Sequence, residues 1–358
     1  MTKIPQLAQA LSAPIHFDPR ILEFIARFIL ALLEKRSVNL AVLGNTLNEK
    51  VKSESNQRRA TRFLARDQTW RDALRDWLLG FFPDHITLAV DRTEWTFGNT
   101  PINLLVIAIV YNGFAIPLIW THLGKAGSSN AREVTTLLDT LASSLAGRTV
   151  LVLMDREFAN HRLLVWLTRV RWDFDLRLKR DARVSYRDHT ARVECFFKDW
   201  AQGYGTWLKR RVTVYGVKVF VVAFHPLVPT EDGDDCLYVL TNRAPSAAAS
   251  RYSTRWSIEN LFSALKSRGF NLEDTYLTHA LKLENLLGLL CLAVFWAVRV
   301  GEFISSLTPV KRKGHGRLAV SVFRLGLDAL ERVFRFDVPS LKARGLVWDD
   351  ALRLLSGT

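Results

Sequence analysis

The sequence predicts an α/β protein with a mixed central sheet and helical regions at both ends of the chain. Short β-branched runs alternate with amphipathic helical segments between residues 86 and 181. The continuous apolar run at 149–155 is typical of a central strand that is buried on both faces. Residues 1–80 and 281–358 show helical periodicity instead. These observations predict an α+β core that lies along the chain between two helical regions.

The helical N-terminal region contains a predicted helix at 21–36 and a basic segment at 57–67. In that segment Arg58, Arg59 and Arg62 recur every three or four residues and therefore share one helix face. The chain carries 49 Lys and Arg against 35 Asp and Glu, a formal net charge of +14, which favours a polyanionic partner. We interpret the three arginines as phosphate contacts; the alternatives are a solvated helix face and a basic enzyme with no nucleic-acid partner.

Compartment and membrane association are suggested by the cysteines and the apolar segments. The three cysteines show no CxxC spacing, so we expect neither a zinc site nor a disulfide framework, and a reducing compartment fits. The N-terminus has no continuous apolar stretch like that of a signal peptide. The longest apolar run, 286–298, is too short to span a bilayer and predicts a buried core helix. No membrane partner is expected.

The core elements follow in a definite order. Three strands joined by tight turns predict an antiparallel meander, and two helix–strand pairs follow it; the predicted bounds are 86–91, 102–113 and 114–123 for the meander strands, then helix 131–147, strand 149–155, helix 159–171 and strand 173–181. The order β-β-β-α-β-α-β is that of a ribonuclease-H-like domain. We assign this core to residues 81–180 and 236–280.

The segment between the two parts of the core predicts a β-rich insertion at 181–235. It contains hairpin-like segments at 191–200, 206–216 and 217–226 and an acidic loop at 228–235. A strand at 236–242 then precedes a helix at 251–269. The C-terminal helical region from residue 281 is interrupted by a basic, glycine-containing loop at 308–317.

Two acids stand at the predicted ends of neighbouring strands. Asp91 ends the first strand and Asp155 ends the fourth, so both carboxylates should emerge at one sheet edge. Converging carboxylates are what a pair of Mg²⁺ ions about 4 Å apart requires for phosphodiester chemistry. Alternatively, each Asp caps a turn. We interpret the nearby Glu94 and Glu157 as structural partners rather than metal ligands.

The segment RYSTRWSIENLFSALKSRG, residues 251–269, supplies a third acid among cations. At about 100° per residue, one α-helix would place its polar residues within an arc of about 60° directed away from the core, namely Tyr252, Arg255, Glu259 and Lys266. Trp256 lies beside this stripe. The simpler interpretation is an Arg255–Glu259 i,i+4 ion pair, which contributes only about 0.3–0.5 kcal/mol and needs no function.

This spacing, Tyr252-x2-Arg255-x3-Glu259-x6-Lys266, resembles the Y-R-E-K signature of DDE transposases of bacterial insertion sequences, the insertion-sequence-four family. Two upstream motifs strengthen the resemblance: D-x-T-x-W beginning at Asp91, and D-R-E-F beginning at Asp155. It covers about residues 86–300. It implies that Asp91, Asp155 and Glu259 are catalytic and ligate two Mg²⁺ ions, for which Mn²⁺ can substitute.

The resemblance also implies the remaining roles. DNA contacts would come from Tyr252, Arg255, Lys266 and Trp256, with packing alone as the alternative for Trp256. Residues 1–80 would bind the terminal inverted repeats, and residues 281–358 would support synapsis by a homodimer on double-stranded DNA. The expected activity is cut-and-paste transposition in the bacterial cytoplasm, at the nucleoid. The alternatives are a ribonuclease-H-like endonuclease without strand transfer and a catalytically lapsed DNA-binding relative.

Overall fold

A computed structural model describes residues 3–12, 16–197, 203, 205–225, 235–314, 318–335 and 346–357. The chain divides into two compact units. The first comprises Met1–Phe81, Trp95–Ile102 and Asn260–Thr358, and the second comprises Phe82–Glu94 and Asn103–Glu259. The second unit contains most of the sheet, and the first is mainly helical.

The strands, in chain order, are β1 (His85–Phe97), β2 (Thr100–Tyr111), β3 (Phe114–His122), β4 (Thr149–Met154), β5 (Asp173–Leu178), β6 (Arg183–Tyr186), β7 (His189–Arg192), β8 (Gly205–Trp207), β9 (Val212–Val214), β10 (Val217–Phe224) and β11 (Leu237–Thr241). They form one sheet in the order β3-β2-β1-β4-β5-β11-β10-β9-β6-β7, with β8 paired to β10. β4 runs parallel to both β1 and β5, whereas β3 is antiparallel to β2. This mixed α/β sheet has the ribonuclease-H-like strand order that the sequence predicted.

The helices, in chain order, are α1 (Lys3–Ser12), α2 (Pro19–Lys35), α3 (Leu40–Leu47), α4 (Ser53–Leu64), α5 (Thr69–Leu79), α6 (Ala131–Ala142), α7 (His161–Arg169), α8 (Ala248–Ser253), α9 (Ser257–Leu265), α10 (Ala280–Leu307), α11 (Val322–Arg335) and α12 (Trp348–Ser356). α6 ends earlier than predicted, at Ala142 rather than Gly147. Its start is defined by a capping box between Asn130 and Glu133, which satisfies backbone donors that the helix leaves unpaired.

The strands after β5 continue the same sheet rather than forming a separate layer. β11 pairs antiparallel with β5, and β10 pairs antiparallel with β11. The hairpin predicted at 191–200 is wrong in position: β7 ends at Arg192, and Val193–Phe196 forms a 3₁₀ turn. Residues 198–200 of that prediction, residues 228–234 of the predicted acidic loop and residues 315–317 of the predicted basic loop lie outside the described residues.

The helical unit is organised around α10, a helix of 28 residues. The whole helix is long and apolar enough to cross a membrane by length and composition, but 83% of its most apolar window is buried inside the protein. The prediction that the run 286–298 belongs to a buried core helix is confirmed. α10 and α11 approach closely at a glycine. A Cβ added to Gly326 would lie 1.7 Å from the carbonyl oxygen of Ala297, so only glycine permits this crossing.

Candidate active site

Asp91 and Asp155 stand opposite each other where two parallel strands stop pairing. The β1–β4 ladder runs from His85↔Thr149 to Val90↔Met154. Each aspartate directly follows one residue of this last pair along the chain. β1 itself continues to Phe97, so Asp91 does not end the strand as predicted; it is the pairing with β4 that ends there. Both carboxylates therefore belong to the same edge of the sheet.

The Asp91 carboxylate is held by two donors. Its Oδ1 accepts the backbone N–H of Arg92 at 2.8 Å, and its Oδ2 accepts Nη1 of Arg255 at 2.8 Å. Burial raises the pKa of Asp91 to about 6; Arg255 and the backbone donor act in the opposite direction, and the negative charges of Asp155 and Glu157 add to the rise.

Arg255 connects the first and third acids of the predicted set. Its Nη1 binds Asp91, and its Nη2 donates to Oε1 of Glu259 at 2.7 Å. The side chain is only 11% exposed. Burial alone would lower the pKa of Arg255, but Tyr252 and the three acids, including Asp155, raise it above its ordinary value. One guanidinium thus bridges two of the three carboxylates.

Tyr252 is a core residue whose hydroxyl points at the site. Its ring belongs to a buried cluster with Val222, Val239 and Ala248, and its hydroxyl donates to Oδ1 of Asp155 at 3.3 Å. Burial raises the pKa of Tyr252, so it remains a hydrogen-bond donor at neutral pH.

The prediction of one solvent-directed stripe over residues 251–269 is therefore wrong for Tyr252. The segment is α8, then a 3₁₀ turn at Thr254–Trp256, then α9. Because the tighter turn advances about 120° per residue, a single α-helical angle count does not hold across it. The interpretation of Arg255–Glu259 as an i,i+4 ion pair is correct as geometry, but Arg255 also reaches Asp91.

The other predicted DNA contacts occupy different places. Trp256 is 43% exposed on the 3₁₀ turn. Lys266 belongs to the first unit, where its Nζ lies 2.8 Å from Oε1 of Glu273 and 5.5 Å from the centre of the Trp95 ring. The three predicted arginines of the N-terminal region are exposed residues of α4.

Sequence reasoning missed the charged face of β5. Arg177 lies with its Nη1 3.5 Å from Oδ1 of Asp155. Asp175, two residues earlier, is fully buried and accepts a bidentate pair from Arg251, with Nε–Oδ2 at 2.7 Å and Nη2–Oδ1 at 3.0 Å. The available signal was the alternation Asp173-x-Asp175-x-Arg177 in the strand predicted at 173–181, because charged residues on a buried face require partners.

The three carboxylates suit a hard divalent cation by their chemistry, since Mg²⁺ and Mn²⁺ prefer oxygen ligands. Among the residues described, no three His, Cys, Asp or Glu side chains form a preassembled metal cluster. The guanidinium of Arg255 instead contacts both Asp91 and Glu259 in this structure. The fit of the set to a metal therefore rests on the chemistry of its carboxylate oxygens.

A family profile described as "Transposase DDE domain" matches residues 82–296. A cryo-EM structure of the piggyBac transposase synaptic complex with hairpin DNA is similar, with a TM-score of 0.45 and 11% sequence identity over 99% of this chain and 83% of that chain. No curated protein sequence matches this one.

Proposed function

The chain belongs to the transposase DDE domain family, matched over residues 82–296 of 358, and from this premise we propose that it is a cut-and-paste transposase of the bacterial insertion-sequence-four family. The observation that carries the proposal is the position of Arg255. Its guanidinium contacts Asp91 and Glu259, two of the three acids that the sequence motifs single out, and Arg177 lies 3.5 Å from the third, Asp155. Such an arrangement concentrates negative charge where phosphodiester chemistry needs metal ions.

In this proposal Asp91, Asp155 and Glu259 hold two Mg²⁺ or Mn²⁺ ions. Bound there, such ions would supply the charge that activates a water and stabilises the leaving 3′ oxygen. Asp91 presents a carboxylate whose Oδ1 is already oriented by the Arg92 backbone N–H. Tyr252 holds Asp155 through its hydroxyl. These contacts fix two of the three acids before any ligand arrives, which lowers the cost of organising the site.

Double-stranded DNA is the proposed substrate, comprising the transposon ends and the target. Arg255 and Lys266 bind phosphates near the transposon terminus, and the exposed ring of Trp256 stacks on a base. Tyr252 would donate its one hydroxyl proton to a phosphate in exchange for its bond to Asp155. The arginines of α4 contact the terminal repeats, and a homodimer holds two ends together. The net charge of +14 supports a DNA partner.

The proposed reaction has two steps. A water nicks the transposon end and leaves a 3′-OH, and this hydroxyl then attacks a target phosphodiester, so that one P–O bond forms as another breaks. A ribonuclease-H-like endonuclease would use the same three acids for the first step alone. A lapsed relative would bind DNA and perform neither step.

The test is a strand-transfer assay with pre-cleaved duplexes whose sequence is taken from inverted repeats flanking the gene. The wild-type protein is expected to join the ends to a target plasmid in Mg²⁺. Glu259→Gln should abolish cleavage and joining while DNA binding persists, because it removes a metal ligand and little phosphate contact. Nicks without joined product would establish the nuclease instead, and full activity of Glu259→Gln would refute the site assignment.

A further inference from the structure

Arg255 is in contact with two of the proposed metal ligands and is also a proposed phosphate ligand. Its Nη1–Oδ2 distance to Asp91 is 2.8 Å, and its Nη2–Oε1 distance to Glu259 is 2.7 Å. A divalent cation that bound both carboxylates would lie next to this guanidinium and be repelled by it. The metal and the arginine therefore compete for the same pair of carboxylates.

A DNA phosphate can resolve this competition. A guanidinium binds a phosphate with the same two-pronged geometry that it uses for carboxylates, so phosphate is a strong alternative partner. Arg255 stands on the 3₁₀ turn next to Trp256, which is 43% exposed, so the turn is reachable from solvent. The arginine can thus exchange carboxylates for phosphate by moving its side chain alone.

The backbone around Arg255 is anchored, which confines the exchange to the side chain. α8, directly before the turn, is held by the bidentate pair between Arg251 and the fully buried Asp175. Tyr252 is buried in the cluster with Val222 and Val239. A fixed backbone beneath a long, flexible side chain is suited to switching between two partners.

We propose that Arg255 couples metal binding to DNA binding: without DNA its guanidinium occupies the carboxylates that the metal needs, and a DNA phosphate draws it away and opens the site. The inference rests on the proposed function, and adds to it an order of assembly in which DNA precedes metal. Because coupling between two ligands is reciprocal, bound metal must also increase the affinity for the phosphate-bearing end. The carboxylates would therefore bind metal only weakly until the DNA substrate is bound.

The experiment measures Mn²⁺ binding directly, by the electron paramagnetic resonance signal of free Mn²⁺, with the full chain and no nuclease assay. Without DNA, Arg255→Ala is expected to bind Mn²⁺ about 10- to 100-fold more tightly than the wild type, within the usual range of coupling between sites. Adding a duplex of the element's end should tighten Mn²⁺ binding by the wild type by a similar factor. The same duplex should produce little change in Arg255→Ala.

Two controls separate this effect from a general change of charge. Arg27→Ala breaks another i,i+4 pair, Arg27–Glu23, whose Nη2–Oε1 distance is also 2.7 Å, and it should leave Mn²⁺ affinity unchanged. Arg255→Lys keeps the charge but loses the two-pronged geometry, and it should give an intermediate affinity. Circular dichroism and the Mn²⁺-dependent shift in melting temperature check that Arg255→Ala folds; if it does not, Arg255→Gln takes its place.

The outcomes distinguish the two proposals. Equal Mn²⁺ affinity of wild type and Arg255→Ala, with binding lost in Asp91→Asn, would overturn the coupling and leave the proposed function standing. Mn²⁺ binding by Arg255→Ala that is insensitive to Asp91→Asn would overturn the metal site, and the proposed function with it. The same follows if neither the wild type nor Arg255→Ala binds Mn²⁺ with or without DNA.

Discussion

Arg92 and Glu157 form a bidentate ion pair just beyond the end of the β1–β4 ladder. Nε of Arg92 lies 2.9 Å from Oε1 of Glu157, and its Nη2 lies 2.7 Å from Oε2. A third donor, Nη1, reaches the carbonyl oxygen of Gly127 at 2.8 Å. The pair joins the residue after Asp91 to the second residue after Asp155. It therefore holds together the two aspartate-bearing strand ends where backbone pairing has stopped.

We expect this pair to control the geometry of Asp91 and Asp155, the aspartates proposed to be catalytic. Arg92→Gln or Glu157→Gln should each slow single-turnover DNA cleavage about tenfold or more and raise the Mg²⁺ concentration needed for half-maximal rate. The double variant should lose less than the sum of the single losses, with a coupling energy of about 0.5–3 kcal/mol. Metal titrations of all four proteins form the cycle.

A contrary result for the Arg92–Glu157 pair would be additive losses with an unchanged metal requirement. Glu94→Gln is the matched control, because its Oε2 lies 3.5 Å from Nη1 of Arg92 and its side chain is 56% exposed. Exposed pairs of this kind contribute little, so this substitution should leave the metal dependence unaltered.

The buried Arg251–Asp175 pair should be essential for folding rather than for chemistry. Asp175→Asn leaves Arg251 as an unpaired, largely buried charge and is expected to lower the free energy of unfolding by about 3–5 kcal/mol. Urea denaturation followed by circular dichroism measures this. Asp173→Asn, on the same strand but in a longer and more exposed pair with Arg243, should cost about 0–1 kcal/mol. Similar losses in both variants would contradict the assignment.

The strand order was predictable because it follows from local patterns. Apolar runs of strand length, tight turns and capped helices each lie within a few residues, and their order along the chain implies the arrangement of β1 to β5. The prediction that Asp91 and Asp155 share one sheet edge depended on that order alone. The continuation of the sheet through β11 and β10 was not predictable, because antiparallel pairing across a long insertion leaves no local signal.

The detailed site was less predictable because it depends on partners far apart in sequence. Helical spacing suggested that Arg255 and Glu259 meet, but the contact of Arg255 with Asp91 joins residues more than a hundred positions apart. The burial of Tyr252 was missed because a 3₁₀ turn at Thr254–Trp256 separates it from Glu259. The two side chains therefore do not share one face, as they would on a single continuous α-helix. Arg92 was not singled out, since an arginine beside an aspartate is usually an ordinary surface residue.

Stability without metal should depend on pH through Asp91. Its pKa rises from 3.8 to about 6 on folding, chiefly by burial, so the folded state binds this proton more tightly than the unfolded state. The stabilisation of the folded state by the protonated Asp91 carboxyl is complete below pH about 3.8 and is lost as the pH rises through 6. The side chain introduced by Asp91→Asn stays neutral at every pH. The unfolding free energy of the variant minus that of the wild type should therefore be about 2–3 kcal/mol more positive at pH 8 than at pH 4.

Urea titrations of both proteins in EDTA at several pH values test the Asp91 prediction. Asp84→Asn, which removes an exposed carboxyl near the start of β1, serves as the control substitution. A pH-independent difference between Asp91→Asn and wild type would mean that the carboxyl titrates normally in the folded protein.

The arginines of α4 should contribute unequally to DNA binding. Arg58 and Arg62 are exposed and four residues apart, so they share one face of the helix. Arg59 is already engaged: its Nη2 donates to the carbonyl oxygen of Arg20 at 3.1 Å, and its guanidinium lies 5.1 Å from the centre of the Phe24 ring. We therefore expect Arg58→Ala with Arg62→Ala to reduce the slope of log affinity against log salt by about 2, one phosphate contact each.

Arg59→Ala is the matched control on the same helix, since it removes the same charge. It should change the salt slope less than either neighbour does and instead lower the melting temperature, because the contacts it loses are internal. Fluorescence anisotropy with a labelled terminal-repeat duplex from 50 to 200 mM salt gives the slopes, and joining of pre-bound, pre-cleaved ends should be nearly unaffected by all three substitutions. Equal changes of salt slope at all three arginines would show that DNA binding releases Arg59 from its internal contacts. If joining of pre-bound ends fell as much as binding does, the recognition surface would not be separate from the site of chemistry.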